Sequence, residues 1–149
     1  MSVSEVCTRE VIVMRRDETI MAAARLMREH HVGDVLVIED RNGVQVPVGI
    51  VTDRDLVVEV MAPGLDHMVI TVGDIMTQDL FTAKDSMGTF EAIQYMRSKT
   101  VRRLPIVDEK GGLVGVISLD DILELLAEEM LDLSKLVGYE RKKEMRHRR

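Results

Sequence analysis

GIVTDRDL, residues 49–56, runs three apolar positions into Thr52 and places Asp55 three residues further on. A variant, GVISLDDI, recurs at 115–122, with Ser118 followed by Asp121. An apolar β-branched run ending in a hydroxyl residue reads as a strand passing into a helix, with Thr52 or Ser118 as N-cap. The Thr/Ser-x-x-Asp spacing is that of a capping box, in which the cap oxygen accepts from a backbone N–H and the carboxylate reaches back to the cap's own N–H. It also fits half of a ligand site. One carboxylate can accept from both hydroxyls of a ribose, and the free N–H groups of a starting helix suit a phosphate. Spacing leaves both readings open.

Working outward, the chain aligns with itself. At an offset of 69, EVCTREVIV (5–13) falls on DIMTQDLFT (74–82), AARLMR (23–28) on AIQYMR (92–97), and VGDVLVIED (32–40) on VRRLPIVDE (101–109). The offset then drops to 66, which aligns GIVTDRDL with GVISLDDI. The change falls between RNGVQVPVG and KGGLVG, where a hairpin absorbs an insertion. Each repeat reads as a short strand, a helix (19–31 and 88–99), two hairpin-linked strands and a second helix. Asp17 or Thr19 is available to cap the first helix. The class is α+β, each sheet being too small to bury both faces alone, so two copies are expected to pack sheet to sheet.

The ordered set IMT…AIQYM…RLPIVDEKGGLVGVISLDDIL resembles a CBS domain, the module named after cystathionine β-synthase. AARLM…DVLVIED…PVGIVTDRDL resembles a second copy, and together they span roughly residues 5–130. The resemblance implies two tandem β-α-β-β-α repeats with pseudo-twofold symmetry. The expected units are 1–71, 72–137 with a long C-terminal helix, and 138–149 as a basic, disordered tail. It further implies two clefts between the repeats, of a kind that often binds AMP, ADP, ATP or S-adenosylmethionine.

On that resemblance, ribose goes to the aspartate and phosphate to the neighbouring hydroxyl. One cleft is expected from Arg103, Ser118 and Asp121, with an apolar slot of Ile12, Val13 and Val32 and with Thr8 from the opposite repeat. The other is expected from Thr52, Asp55, Thr77 and Arg102. At the position of Arg103, repeat one carries Asp34, beside Thr52 and Asp55. Two carboxylates repel a phosphate, so the Asp121 cleft is the expected nucleotide site. Arg102 and Arg103 as a solvated strand edge, and Thr8 and Thr77 as turn or cap hydroxyls, are the alternative readings.

Charge and composition narrow the function. The chain of 149 residues holds 20 Lys and Arg against 26 Asp and Glu, a net charge of −6. Its last twelve residues hold six basic and two acidic side chains, leaving 14 basic and 24 acidic residues in 1–137. An acidic body argues against nucleic-acid binding by the folded part. The basic tail leaves a salt-dependent nucleic-acid contact as a third reading. No apolar run reaches the 18 residues of a membrane span, and the N-terminus has no secretion-signal pattern. A single cysteine, Cys7, suits a reducing cytoplasm. None of the four histidines has a partner at metal-ligand spacing, and no nucleophile motif or Gly-rich phosphate loop is present. No enzyme and no required cofactor are therefore expected. The segment 122–137 carries more apolar residues than one buried stripe requires, the mark of an interface or else of intramolecular packing; the resemblance to CBS domains, which commonly dimerise through their motif-bearing helices, implies a homodimer. The expected function is regulatory: a stand-alone cytoplasmic sensor of an adenosine nucleotide acting on another, unidentified protein. The alternative is an adaptor dimer that binds no nucleotide.

Overall fold

The computed structural model describes residues 1–148. Two three-stranded sheets form the frame. In one, β1 (Val13–Arg15) runs parallel to β2 (Asp34–Arg41), which pairs antiparallel with β3 (Val44–Thr52). In the other, β4 (Ala83–Lys84) runs parallel to β5 (Arg103–Val107), which pairs antiparallel with β6 (Leu113–Ser118). Register shifts fall at equivalent places, Val37/Ile38 and Ile106/Val107. The α+β class and the tandem repeat are thus realised.

The helix α2 (Ile20–His30) starts at Thr19, whose Oγ1 accepts from the Ala22 N–H at 3.2 Å. It buries Ile20, Ala23 and Met27, a spacing of three and four that makes one apolar face. Its counterpart α5 (Thr89–Lys99) buries Ala92 and Met96. Both helices stop on a residue with positive φ, His31 at 54° and Thr100 at 56°. That left-handed turn delivers the chain into β2 and β5, whose first residues are Asp34 and Arg103.

Two short helices were not expected, α1 (Val3–Val6) and α4 (Val72–Ile75), although Ser2-x-x-Glu5 and Thr71-x-x-Asp74 carry the same capping spacing as the motifs. Each packs into the other repeat's core. Val3 is buried with Leu104, Ile106 and Ile117. Val72 and Met76 are buried with Met14, Val35 and Val51. The chain following each helix then crosses the far sheet. The Thr8 N–H donates to the Val116 carbonyl and the Val116 N–H to the Thr8 carbonyl, both at 2.9 Å, while the Thr77 N–H donates to the Ile50 carbonyl at 3.1 Å. This exchange locks the two repeats together.

It also explains the glycine that opens GIVT and GVIS. A Cβ at Gly115 would lie 2.5 Å from the Thr8 carbonyl oxygen, and one at Gly49 would lie 2.5 Å from Met76 Sδ. Only glycine lets the crossing segment approach the strand so closely.

The second helices differ. After Thr52, α3 (Asp53–Asp55) passes at once into a π-helical stretch, Leu56–Met61. After Ser118, α6 runs regularly from Leu119 to His147. The segment expected as a disordered tail is therefore helical as far as His147, though fully exposed. Its Glu, Lys, Arg and Met residues are good helix formers, and extending an existing helix costs far less than starting one. No helix among the described residues is long and apolar enough to cross a membrane.

Candidate functional site

Two cavities of similar size flank the junction of the repeats. The first, about 330 Å³, is lined by Thr8, Glu10, Val11, Ile12, His31, Val32, Gly33, Asp34, Arg103, Val116, Ser118 and Asp121. The second, about 360 Å³, is lined by Asp34, Ile50, Thr52, Thr77, Asp79, Leu80, Phe81, Val101, Arg102, Arg103 and Pro105. The linings correspond through the repeat: Thr8 with Thr77, Ile12 with Phe81, Val32 with Val101, Ser118 with Thr52. Both volumes lie near the lower end of small-ligand sites, about 300–1,000 Å³.

The first cleft gathers Thr8, Ile12, Val32, Arg103, Ser118 and Asp121 from both halves of the chain. Thr8 arrives through its paired backbone bonds to Val116, two residues before Ser118 on β6. Arg103 starts β5 directly opposite Ser118. Val13 is not on the wall: the irregular segment Glu10, Val11 and Ile12 lines the cleft, and at Val13 the chain enters β1, paired with Leu36.

The second cleft gathers Thr52, Thr77 and Arg102 but not Asp55 on its wall. Phe81 contributes an aromatic face, edge-on to Tyr95 and with Lys99 Nζ 5.0 Å from its centroid.

Both motifs form the capping box. The Thr52 N–H donates to Asp55 Oδ2 at 2.8 Å and the Asp55 N–H to Thr52 Oγ1 at 3.1 Å. In the second repeat the Ser118 N–H donates to Asp121 Oδ2 at 3.0 Å and the Asp121 N–H to Ser118 Oγ at 3.1 Å. The carboxylate half of the device occurs twice more, from Ser2 N–H to Glu5 Oε2 at 3.0 Å and from Thr71 N–H to Asp74 Oδ2 at 2.9 Å. Capping is therefore the general use of this spacing. Asp121 alone of these four carboxylates also lines a cleft, and its cap bond uses Oδ2, so Oδ1 can still accept.

Arg103 and Asp34 form an ion pair with each other. The two residues are equivalent in the repeat, and each lines both clefts, so the pair is the partition between them. Arg103 therefore belongs to neither cleft alone, and the expectation that Asp34 burdens only the second cleft is corrected. Asp34 Oδ2 is buried without a hydrogen bond among the described residues, its charge met by the Arg103 guanidinium. Within the first cleft, Glu10, Asp34 and Asp121 outnumber Arg103. Within the second, Asp34 and Asp79 balance Arg102 and Arg103. Arg102 also meets Asp120 at 3.9 Å, with both side chains three-quarters exposed.

The residues missed from sequence were Glu10, Val11, His31, Gly33, Asp34 and Val116 in the first cleft, and Ile50, Asp79, Leu80, Phe81, Val101, Arg103 and Pro105 in the second. The repeat offset itself could have found several of them, since adding 69 to Ile12 and Val32 gives Phe81 and Val101. No group of three metal-ligating side chains comes together among the described residues.

Paired sheets with two symmetry-related clefts and a Thr/Ser-x-x-Asp strand-to-helix junction in each repeat define a tandem regulatory-type module. The CBS domain family model matches residues 3–62 and 72–128, and the chain belongs to that family. An uncharacterized protein of Methanopyrus kandleri is 40% identical over 124 residues, 83% of this chain and 62% of its own length. The chain thus spans less than two thirds of that relative. CBS domain-containing protein YhcV of Bacillus subtilis is 36% identical over 121 residues, covering 81% of this chain and 82% of its own. A solved CBS domain pair, crystallised with 5′-methylthioadenosine and S-adenosyl-L-methionine, superposes with a TM-score of 0.73 over 87% of this chain and 98% of its own at 22% identity, a likeness of fold.

Proposed function

We propose that this chain is a regulatory CBS module that binds an adenosine-containing ligand between its repeats and acts on a separate protein, as a homodimer, in the reducing cytoplasm. It works by binding, with no catalytic step. The observation that carries this reading is the convergence of Asp121, Ser118, Thr8, Ile12, Val32 and Arg103 on one cavity. Ile12 and Val32 offer an apolar slot for a base, and Asp121 Oδ1 an acceptor for ribose hydroxyls. Arg103 and the start of α6 supply positive charge for a phosphate once Arg103 leaves Asp34. The adenosine ligands in the solved pair support the class of ligand. The acidic lining favours adenosine ligands of low negative charge, so the expected order of affinity is AMP, then ADP, then ATP. Ligand bridging the repeats shifts the population between two arrangements of a surface that the partner reads.

Calorimetric titration with AMP, ATP and S-adenosylmethionine tests this, with Asp121→Ala and Asp74→Ala in parallel. Each variant loses a carboxylate that bonds a helix cap, but only Asp121 lines a cleft. Saturable binding lost in Asp121→Ala and kept in Asp74→Ala supports the site. Absence of binding to all three ligands favours the second reading, an adaptor that binds no nucleotide. The recurrence of the carboxylate cap far from either cleft is the observation behind that reading.

A further inference from the structure

The last helix is longer than the fold can cover. At 1.5 Å per residue, the 29 residues of α6 extend about 43 Å. Only its first turns touch the body, with Ile122 buried and Leu119 and Leu125 partly so. Every described residue from 126 onward is exposed, among them Met130 (71%), Leu133 (63%) and Val137 (48%). Propagation can keep such a helix formed, but helices in proteins ordinarily draw most of their stability from packing an apolar face, and this stretch has none to pack against within its own chain.

Such a face is present. Leu119, Leu123, Leu126, Met130, Leu133 and Val137 follow one another at steps of four, three, four, three and four. That is the seam of a two-stranded coiled coil, with Leu123, Met130 and Val137 at one core position and Leu119, Leu126 and Leu133 at the other. The charges flanking it are divided by sequence. Asp120, Asp121, Glu124, Glu128, Glu129 and Asp132 lie in the first half with no basic residue among them. Lys135, Arg141, Lys142, Lys143, Arg146 and Arg148 lie in the second, against only Glu140 and Glu144.

We propose that α6 pairs with α6 of a second copy of this chain as an antiparallel coiled coil. A parallel pair would set acidic half on acidic half and basic on basic. An antiparallel pair opposes each acidic half to a basic one. Core packing allows registers one heptad apart, and charge selects among them. The register that lays the basic half along the acidic half places Leu126 opposite Val137 and Met130 opposite Leu133, with Leu119 and Leu123 facing Glu144 and Glu140 of the second copy and the twofold axis between Leu131 and Asp132. In that register residues 137–144 of the second copy run past 119–126 and over an apolar groove of about 470 Å³, lined in part by Ile93, Met96, Leu123 and Leu126. Helix pairing and groove cover are then one continuous interface. The pairing deepens the dimer of the proposed function and is independent of its ligand, so a failed nucleotide titration leaves it standing.

The test uses the full chain with Cys7→Ser and Lys142→Cys, carrying a spin label at 142, on the side of the helix away from the seam. Light scattering gives the mass, and pulsed electron resonance gives the distance between the two labels. The antiparallel register separates the two positions by about 31 Å along the helix axis, whereas a parallel pair brings them within roughly 20 Å. A dimer with the long distance is expected. Leu133→Asp, at a position exposed in the single chain, should weaken it at least about tenfold by burying a charge in the seam. Lys142→Glu with Lys143→Glu should weaken it as well, and so should added salt. A monomeric parent chain, a short label distance, or a dimer indifferent to Leu133→Asp each overturns the proposal. In the first case the seam would belong to a different partner.

Discussion

The two clefts have nearly the same volume and opposite endowments. The first has a motif carboxylate on its wall, Asp121, but an excess of acidic groups: Glu10, Asp34 and Asp121 against Arg103. The second has Arg102 and Arg103, the Phe81 ring and an apolar lining, but Asp55 is absent from its wall. One repeat motif has thus been kept as a cap on both sides while its carboxylate faces a cleft on one side only. Sequence symmetry is not chemical symmetry here, because the differences at Gly33/Arg102 and Asp34/Arg103 fall at the junction that both clefts share.

The sharpest way to break this comparison is to delete the two motif carboxylates separately. Asp121→Ala should weaken adenosine-ligand binding by about 2–3 kcal/mol, roughly a hundredfold, since hydrogen bonds to a charged group are worth about that much. Asp55→Ala should leave that binding within about threefold and cost only cap stability, about 1 kcal/mol. Titration calorimetry and denaturant midpoints on both variants give the two numbers. Equal loss of binding in both would mean that the clefts are equivalent after all.

The next effect is on folding and compares the two crossings. At Gly115 an added methyl meets the backbone carbonyl of Thr8, which is held by hydrogen bonds to Val116 and cannot yield without breaking them. At Gly49 it meets the thioether of Met76, a side chain with rotamers to spare. Gly115→Ala should therefore destabilise by about 2–3 kcal/mol and Gly49→Ala by about 1 kcal/mol. Urea unfolding of the two variants would show the order, and a larger loss at Gly49 would contradict the rigid-backbone explanation.

A smaller effect concerns the partition. Asp34→Ala frees Arg103 for ligand, so it should tighten ATP by about tenfold and AMP by less, because the carboxylate removed repels each added phosphate charge. Arg103→Ala should cost more stability than Asp34→Ala, because it leaves a carboxylate that is four-fifths buried without a partner, whereas the reverse change leaves a half-exposed guanidinium that water can reach. If ATP affinity is unchanged in Asp34→Ala, the ion pair does not gate the first cleft.

Much of this architecture is legible in the sequence because it repeats. The repeat, offset by 69 and then by 66 residues, identifies the strand pairs, the helices at 19–31 and 88–99, and the Ser118–Asp121 corner, each with periodic apolar residues behind it. What is not legible has a common physical cause. The helices α1 and α4 are four residues each, too short for a period to register, and their exchange between cores is a tertiary choice. Val13 was expected in the cleft with Ile12, but the strand begins at Val13 and the cleft is lined by the irregular segment before it, a boundary one residue wide. The Arg103–Asp34 pair joins residues 69 apart whose equivalence was visible, but contact between them requires knowing where the repeats' dyad lies. The helical state of 138–147 was missed because a cluster of like charges reads as solvated chain, and helix propagation from α6 decided otherwise.

The mildest prediction separates Arg102 from Arg103. Arg102 is three-quarters exposed and reaches Asp120 at 3.9 Å, at the limit of an ion pair. Surface pairs of this kind contribute about 0–1 kcal/mol, so Arg102→Ala should lower the unfolding free energy by less than about 0.5 kcal/mol. It lines the second cleft and not the first, so it should leave adenosine-ligand affinity at Asp121 unchanged while abolishing any weaker anion binding on the Phe81 side. Inorganic phosphate titrated against the parent and Arg102→Ala proteins, with Phe81→Trp as a fluorescent reporter in both, measures that difference. A phosphate response of the Trp reporter that survives Arg102→Ala would assign the anion to Arg103 instead, and the two clefts would then compete for a single guanidinium.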